Sequence, residues 1–303
     1  LGVGMDGEFN YTEDDVKECA RAFTGWTIAN SIPQQPYGRY AAKFVYNPDD
    51  HDDGEKTFLG ETGCFNGEDV IDIIVKQPAT ARFISRHMYN YFVADDVEVP
   101  SWMDTPPRDP ETIKMLEEEY YRSGYNIRSM LRVLFNSDGF KNARFSRVKS
   151  PIETIIGTLR LIGDWTTPKP GLEFIFDEMK YMGQEILNPP SVEGWHTGRE
   201  WIDGGTLAHR INFVADSVSD AEYPGIRDII NRLANEGPTI SPEGLVDGCL
   251  QMLGDYEMAD ETRDMLIAHA EKGSVLRTDA EDFPSQVGET LQMIVATKEY
   301  LYA

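Results

Sequence analysis

The chain has 303 residues, 41% of them hydrophobic and 11% aromatic, which is ample for one large domain or two intimate ones. Its formal net charge of −24 sets it against nucleic acid and against anionic membrane surfaces. No apolar run approaches the length needed to span a bilayer, and no signal peptide is legible.

In chain order, Leu1-Gly-Val-Gly4 reads as the end of a helix, so the chain is expected to be a fragment lacking an N-terminal part. Thr12-Glu-Asp-Asp15 is a capping-box start for a helix that carries Val16, Cys19, Ala20 and Phe23 on one face and stops at Gly25. Residues 43–46 and 56–59 read as short strands of one small β-hairpin around the acidic turn Asp49 to Gly54. Helical spacing resumes at 68–76, and Pro78 opens a helix that runs to Phe92. An acidic, proline-rich loop follows at 93–109.

Further helices are expected at 110–123, 126–136 behind an Asn126 cap, 151–163 with Pro151 in the first turn, and 171–183. Asn188-Pro-Pro190 then opens a loop that closes on Trp201-Ile202. Its prolines fix φ, its glycines permit turns and its tryptophans want burial, so it is a rigid segment pinned to a core. After a helix at 204–218 the texture becomes more acidic and less aromatic, with helical segments at 224–235, 241–253, 259–271 and 284–297. This divides the chain into a core at 1–219 and a C-terminal helical subdomain at 220–303. The fold class is therefore mainly α, a multi-helix domain with one small hairpin at about 43–59.

Candidate chemistry is concentrated in two places. Asp49-Asp-His-Asp-Asp-Gly-Glu55 is rich in oxygen ligands, so Asp49, His51 and Asp53 are candidates for a divalent cation such as calcium. The segment is not an EF-hand, because His51 and Gly60 occupy ligand positions. No other cofactor is indicated. His51 beside Asp53 is also a candidate general base, the bland reading being a hydrogen bond that fixes the turn. In the proline-rich loop, His196 and Glu200 are further catalytic candidates, the bland reading for His196 being a structural hydrogen bond. Trp195, Arg199 and Trp201, with Arg21 from the first helix, are candidate binding residues. His87 and His209 read as packing or capping groups and His269 as exposed. Cys19, Cys64 and Cys249 lack metal-motif spacing and allow at most one internal bridge. Nucleophile-elbow, Walker, dinucleotide and metalloprotease motifs are absent.

One series of landmarks remains: Tyr11-Thr-Glu-Asp-Asp-Val16, Ala20-Arg-Ala-Phe-Thr-Gly-Trp26, His51-Asp-Asp-Gly-Glu-Lys56, Phe58-Leu-Gly60 and Gln77-Pro-Ala-Thr-Ala81 before Phe83-Ile84. Ser123-Gly124, Ile127-Arg128, Lys149-Ser-Pro151, Gly183-Gln184, Asn188-Pro-Pro190, Gly194-Trp195, Trp201-Ile202 and Ala296-Thr-Lys-Glu-Tyr300 continue it. In this order they closely resemble the bacterial DUF1800 family, whose function is unknown, over nearly the whole chain. The chain departs from that pattern at His196 and in its long acidic loop at 93–109. The resemblance implies a longer N-terminus, an exported protein of the cell envelope or extracellular space, and a protein partner of the sulfatase-like DUF1501 type. It supplies no catalytic residues.

Two functions follow as expectations. The first is a binding or scaffolding component without catalysis; the second is a metal-dependent or His/Asp-based hydrolase of envelope or extracellular polymers. A virion or other assembly component is a third. The proline-rich loop is expected to pack against the first helix and the hairpin as a structural clasp; a functional role for His196, Arg199 and Glu200 requires that they face His51 across a cleft.

Overall fold

The computed structural model describes residues 9–29, 43–97, 102, 105–192, 194–195, 197–271 and 276–302. Helices account for most of these, and the strands form only two-stranded antiparallel ladders, as a mainly α chain with a small hairpin requires. The chain divides into two units. One comprises the residues up to Phe92 together with Asp96–Asn142; the other comprises Val93–Asp95 and Ala143 onward.

In the first unit, α1 (Glu13–Ala22) starts on the expected capping box. Thr12 Oγ1 accepts from the Asp15 amide at 3.1 Å, and the Asp15 carboxylate accepts from the Thr12 amide at 2.7 Å. The other Asp15 oxygen accepts the Leu59 amide at 2.7 Å and so ties the helix start to the sheet.

Both expected strands are present, and each has a partner of its own. β2 (Phe44–Tyr46) pairs with β1 (Trp26–Ile28), a segment that the sequence reading left unassigned. β3 (Lys56–Phe58) pairs with β4 (Glu61–Gly63) in a hairpin whose two-residue loop is Leu59-Gly60. Both loop residues have positive φ, +48° and +82°, the combination that a tight hairpin turn demands and that glycine tolerates best. The Asn47-to-Glu55 stretch is therefore a loop between two ladders rather than a hairpin tip.

The unit is completed by α2 (Gly67–Val75), α3 (Pro78–Phe92), α4 (Pro110–Arg122), α5 (Ile127–Asn136) and the short α6 (Asp138–Lys141). Ala22, Phe58, Val70 and Ile73 join α1, β3 and α2 in one small core. Asn126 caps α5 through the Ser129 amide, as the sequence predicts. Arg86 of α3 is buried in an ion pair with Asp96 at 3.0 Å and lies over the Trp102 ring at 4.5 Å. His87, read as a packing residue, meets the Phe83 and Trp102 rings edge-on.

The second unit holds α7 (Pro151–Ile162), α8 (Leu172–Tyr181), α9 (Gly204–Ser219), α10 (Pro224–Ala234), α11 (Pro242–Leu253), α12 (Asp260–Ala270) and α13 (Phe283–Val295). A short ladder joins β5 (Thr239–Ile240) to β6 (Leu276–Arg277). α7 has proline in its first turn, a Ser150–Glu153 capping box and Gly163 at φ +69° beyond its end. The division that the sequence suggests at about 220 falls inside this unit. Its main core takes Ile162, Val214 and Val218 from before that point and Ile226, Leu245, Phe283 and Leu291 from after it. A helix bundle buries its apolar stripes against whichever neighbours are adjacent, so a change in surface composition need not mark a boundary.

The three cysteines are free thiols. Burial raises the Cys19 thiol above its ordinary range and pushes Cys249 up to about 12. Among the described residues, no helix is long and apolar enough to cross a membrane.

Candidate functional site

The acidic loop of the first unit is built from α1 outward. Arg21, in the last turn of that helix, presents Nε and Nη2 to the two oxygens of Asp52 at 2.8 and 3.2 Å. Its Nη1 donates to Glu18 and to the Glu55 carbonyl. This two-pronged pairing, with a further bond from the Gly54 amide, lowers the Asp52 carboxyl to about 2. Thr24 Oγ1 accepts from the Asp52 amide at 2.8 Å and donates to the Arg21 carbonyl at 2.6 Å.

His51 lies 2.9 Å through Nδ1 from the Thr24 carbonyl, and its side chain is only 5% exposed. A carbonyl can only accept, so Nδ1 carries a proton in this contact. Nε2 is 4.0 Å from Asp53, beyond hydrogen-bond reach, and the Asp53 side chain is 92% exposed. Asp49 sits exposed in the short turn that Asn47 caps.

The loop does wrap a cation, and the cation is its own. Lys56 is 1% exposed, and its Nζ donates to the Asp52 carbonyl and, at 2.9 Å, to the Gly54 carbonyl. The ammonium thus occupies the point where the loop's carbonyl oxygens converge. The structure does not gather Asp49, His51 and Asp53 into one set. Among the described residues, no three His, Cys, Asp or Glu side chains are grouped to hold a metal ion.

In the second unit the proline-rich loop is fastened at both ends. At its start, Gln184 is buried and its Oε1 accepts from the Ile152 amide of α7 at 3.0 Å. At its end, Trp201 is 7% exposed and lies against the α8-to-loop junction at Gly183 and against Thr206, whose hydroxyl donates to the Trp201 carbonyl. Gly198, at φ +64°, lies so close to Asp95 that a Cβ there would be 3.2 Å from its carboxyl carbon. Asp95 in turn accepts the Val148 amide at 2.8 Å.

Between these anchors residues 187–192 are exposed. Leu187 is 91% exposed with φ at +63°, and Val192 is fully exposed. Trp195 is half-buried, while Arg199 and Glu200 are exposed in a turn over Gly198–Trp201. His196 lies outside the described residues. Arg21 and His51 belong to the first unit and Trp195, Arg199, Glu200 and Trp201 to the second, each described by itself.

The model of the protein family of unknown function DUF1800 matches residues 1–302. The chain belongs to the DUF1800 family. Neither a curated protein nor a solved structure matches it.

For this DUF1800 chain the geometry gives physical roles to several of the landmark residues. Arg21, Thr24, His51 and Lys56 lock one loop onto α1, while Gln184 and Trp201 lock another onto α7 and α9. Lys149-Ser-Pro151 supplies the α7 cap and a buried amine that sequence reasoning missed. Lys149 Nζ donates to the Tyr256 hydroxyl at 2.5 Å and the Tyr300 carbonyl at 2.8 Å, with the Tyr300 ring centroid 4.0 Å away. Burial lowers this amine to about 8. The buried Arg210 of α9 donates to the Lys149 carbonyl at 2.5 Å, and burial lowers it to about 10.

The motif containing Lys149 and the closing motif containing Tyr300 were both visible as residues. Only the fold puts them together, across 151 positions of sequence. His209, the neighbour of Arg210, stacks on Tyr181 with ring centroids 5.3 Å apart.

Proposed function

We propose that this protein is a non-catalytic binding or scaffolding component of the cell envelope or the extracellular space, with another protein as its partner. One observation carries the reading: Leu187 is held almost fully exposed on a left-handed backbone, between two buried anchors. A bulky side chain at positive φ is strained, and an exposed leucine does not offset that strain through burial. Val192 is a second exposed apolar side chain in the same loop, and α8 before it exposes Phe174 and Tyr181 on one face and Leu172 and Phe176 on another. Surfaces of this kind mark interaction sites.

The groups that a hydrolase would need at His51 are otherwise engaged. Its Nδ1 is bonded to Thr24, and the carboxylate that would orient it lies 4.0 Å away. A partner of the DUF1501 type, which the family resemblance implies, is the first to try.

Affinity capture of the native complex, followed by mass spectrometry, tests the proposal. A partner in constant stoichiometry with the wild type, lost from Leu187→Asp, is expected. Cleavage of an envelope polymer by the purified wild type that disappears in a folded His51→Ala variant would overturn the reading.

A further inference from the structure

A groove of about 310 Å³ runs between α8 and α9. We infer that it receives the cationic side chain, arginine or lysine, of an extended segment of a protein partner. This rests on the binding function proposed above and gives that partner a chemistry.

The walls are aromatic. Phe174 stands at the rim, 58% exposed, with Phe213 and Tyr223 lining the interior and the His209 ring held against Tyr181. Aromatic rings carry π-electron density on their faces, which attracts guanidinium and ammonium groups. The polar lining carries three acids, Glu178 from α8 with Asp216 and Asp220 from the end of α9, beside the neutral Asn212 and Ser217.

No ion pair to any of the three occurs among the described residues, whereas Glu185, just beyond α8, is paired with Lys180. The carbonyl end of α9 lies at this place as well, and a helix C-terminus favours positive charge. Apolar walls around carboxylates that lack an ion pair, Asp220 accepting only the Glu222 amide at 2.9 Å, suit a group that is cationic at its tip and apolar along its stem, which describes arginine and lysine.

The occupant's size and source follow from the same surface. The volume is at the small end of the range for ligand pockets, about 300–1,000 Å³. That is room for one long side chain. A hard divalent ion wants converging oxygens rather than rings. The groove opens on α8, where Tyr181, two turns on from Phe174 on the same face and 56% exposed, continues the apolar surface, so a peptide has somewhere to lie. The chain's charge of −24 draws basic partners toward it.

The probe is a fluorescein-labelled Gly/Ser peptide carrying arginines, read by anisotropy against its glutamine counterpart. Wild type should bind the arginine peptide. Glu178→Gln with Asp216→Asn should weaken binding about tenfold, and Phe174→Ala about threefold. The exposed pair Glu261→Gln with Asp264→Asn on α12, which removes the same charge elsewhere, should leave it within about twofold.

Equal weakening by the control pair, equal binding of the glutamine peptide, or no binding of the arginine peptide would overturn the inference. So would choline bound in preference to the peptide, which would make this a small-molecule site. If the native partner is lost from Leu187→Asp but kept by the Glu178→Gln/Asp216→Asn variant, the groove assignment fails and the binding function stands. If no partner is captured at all, the binding function itself fails.

Discussion

The two loops that look most like active sites in the sequence are built on opposite plans. The loop from Asn47 to Lys56 turns its polar groups inward. The Arg21 guanidinium, the His51 ring and the Lys56 ammonium each find partners within it, on α1 or at Thr24 just beyond α1, and carboxylates such as Asp49 and Asp53 are left in water. The loop from Gln184 to Trp201 buries its ends and turns apolar side chains outward. A density of charged residues thus marked a self-satisfied knot, and the segment rich in proline and tryptophan became a display platform. The difference lies in where the hydrogen-bond capacity goes. A buried polar group must be paired at home, whereas an exposed apolar one gains by meeting something else.

The comparison can be broken most forcefully at its anchors. Trp201→Ala should cost about 3–5 kcal/mol in chemical denaturation, because it empties the buried end of the display loop. If stability barely moves, the loop is not pinned as described. In the inward loop, Lys56→Met keeps the apolar stem and removes the ammonium, leaving the Asp52 and Gly54 carbonyls without their donor. A loss of about 1–3 kcal/mol is expected, and calcium should be tested for its ability to restore it.

The pH axis separates the two units. Lys149 in the second unit has a folded value of about 8, below the ordinary 10.5 of lysine. Its charged form is disfavoured by folding, so stability should rise as pH increases from 8 toward 10. The gain is on the order of 1–2 kcal/mol, seen as the difference between wild type and Lys149→Met, which lacks the titration.

Leu187→Gly relieves the left-handed strain at a position with no burial to lose. The melting temperature should hold or rise, by no more than about 1 kcal/mol in stability, while the partner is lost from capture. A fall in stability would mean that Leu187 packs rather than displays. The smallest effect belongs to Asp52 in the first unit. Its carboxyl is depressed from 3.8 to about 2, so its contribution is complete above pH 4 and fades as pH falls toward 2. Acid titration of Asp52→Asn should show a shallower loss across that window than wild type.

Helices were the most legible part of this chain. Pro78 and Pro151 in first turns, the Thr12 capping box and the Asn126 cap set starts that the structure reproduces within a residue or two. These signals are local and arise from backbone groups that must be satisfied at helix ends. The strands at 44–46 and 56–58 were also legible as strands. Their partners were not, since Trp26–Ile28 carries little alternation and a three-residue ladder is decided by what its neighbours leave open. The short α6 and the β5–β6 ladder went unseen for the same reason.

The sites divide along the same line. Sequence alone determined that the chain is helical, that two loops are chemically dense and rigid, and that it belongs with DUF1800, because composition, caps and motif order are properties of neighbouring residues. Tertiary structure decided what those loops do with their side chains. It gave Lys56 the centre of the acidic loop, exposed Leu187, drew Lys149, Arg210, Tyr256 and Tyr300 into one buried cluster, and set unpaired acids among aromatic rings between α8 and α9. Burial, pairing and exposure depend on which distant segments meet, and that is settled only when the helices pack.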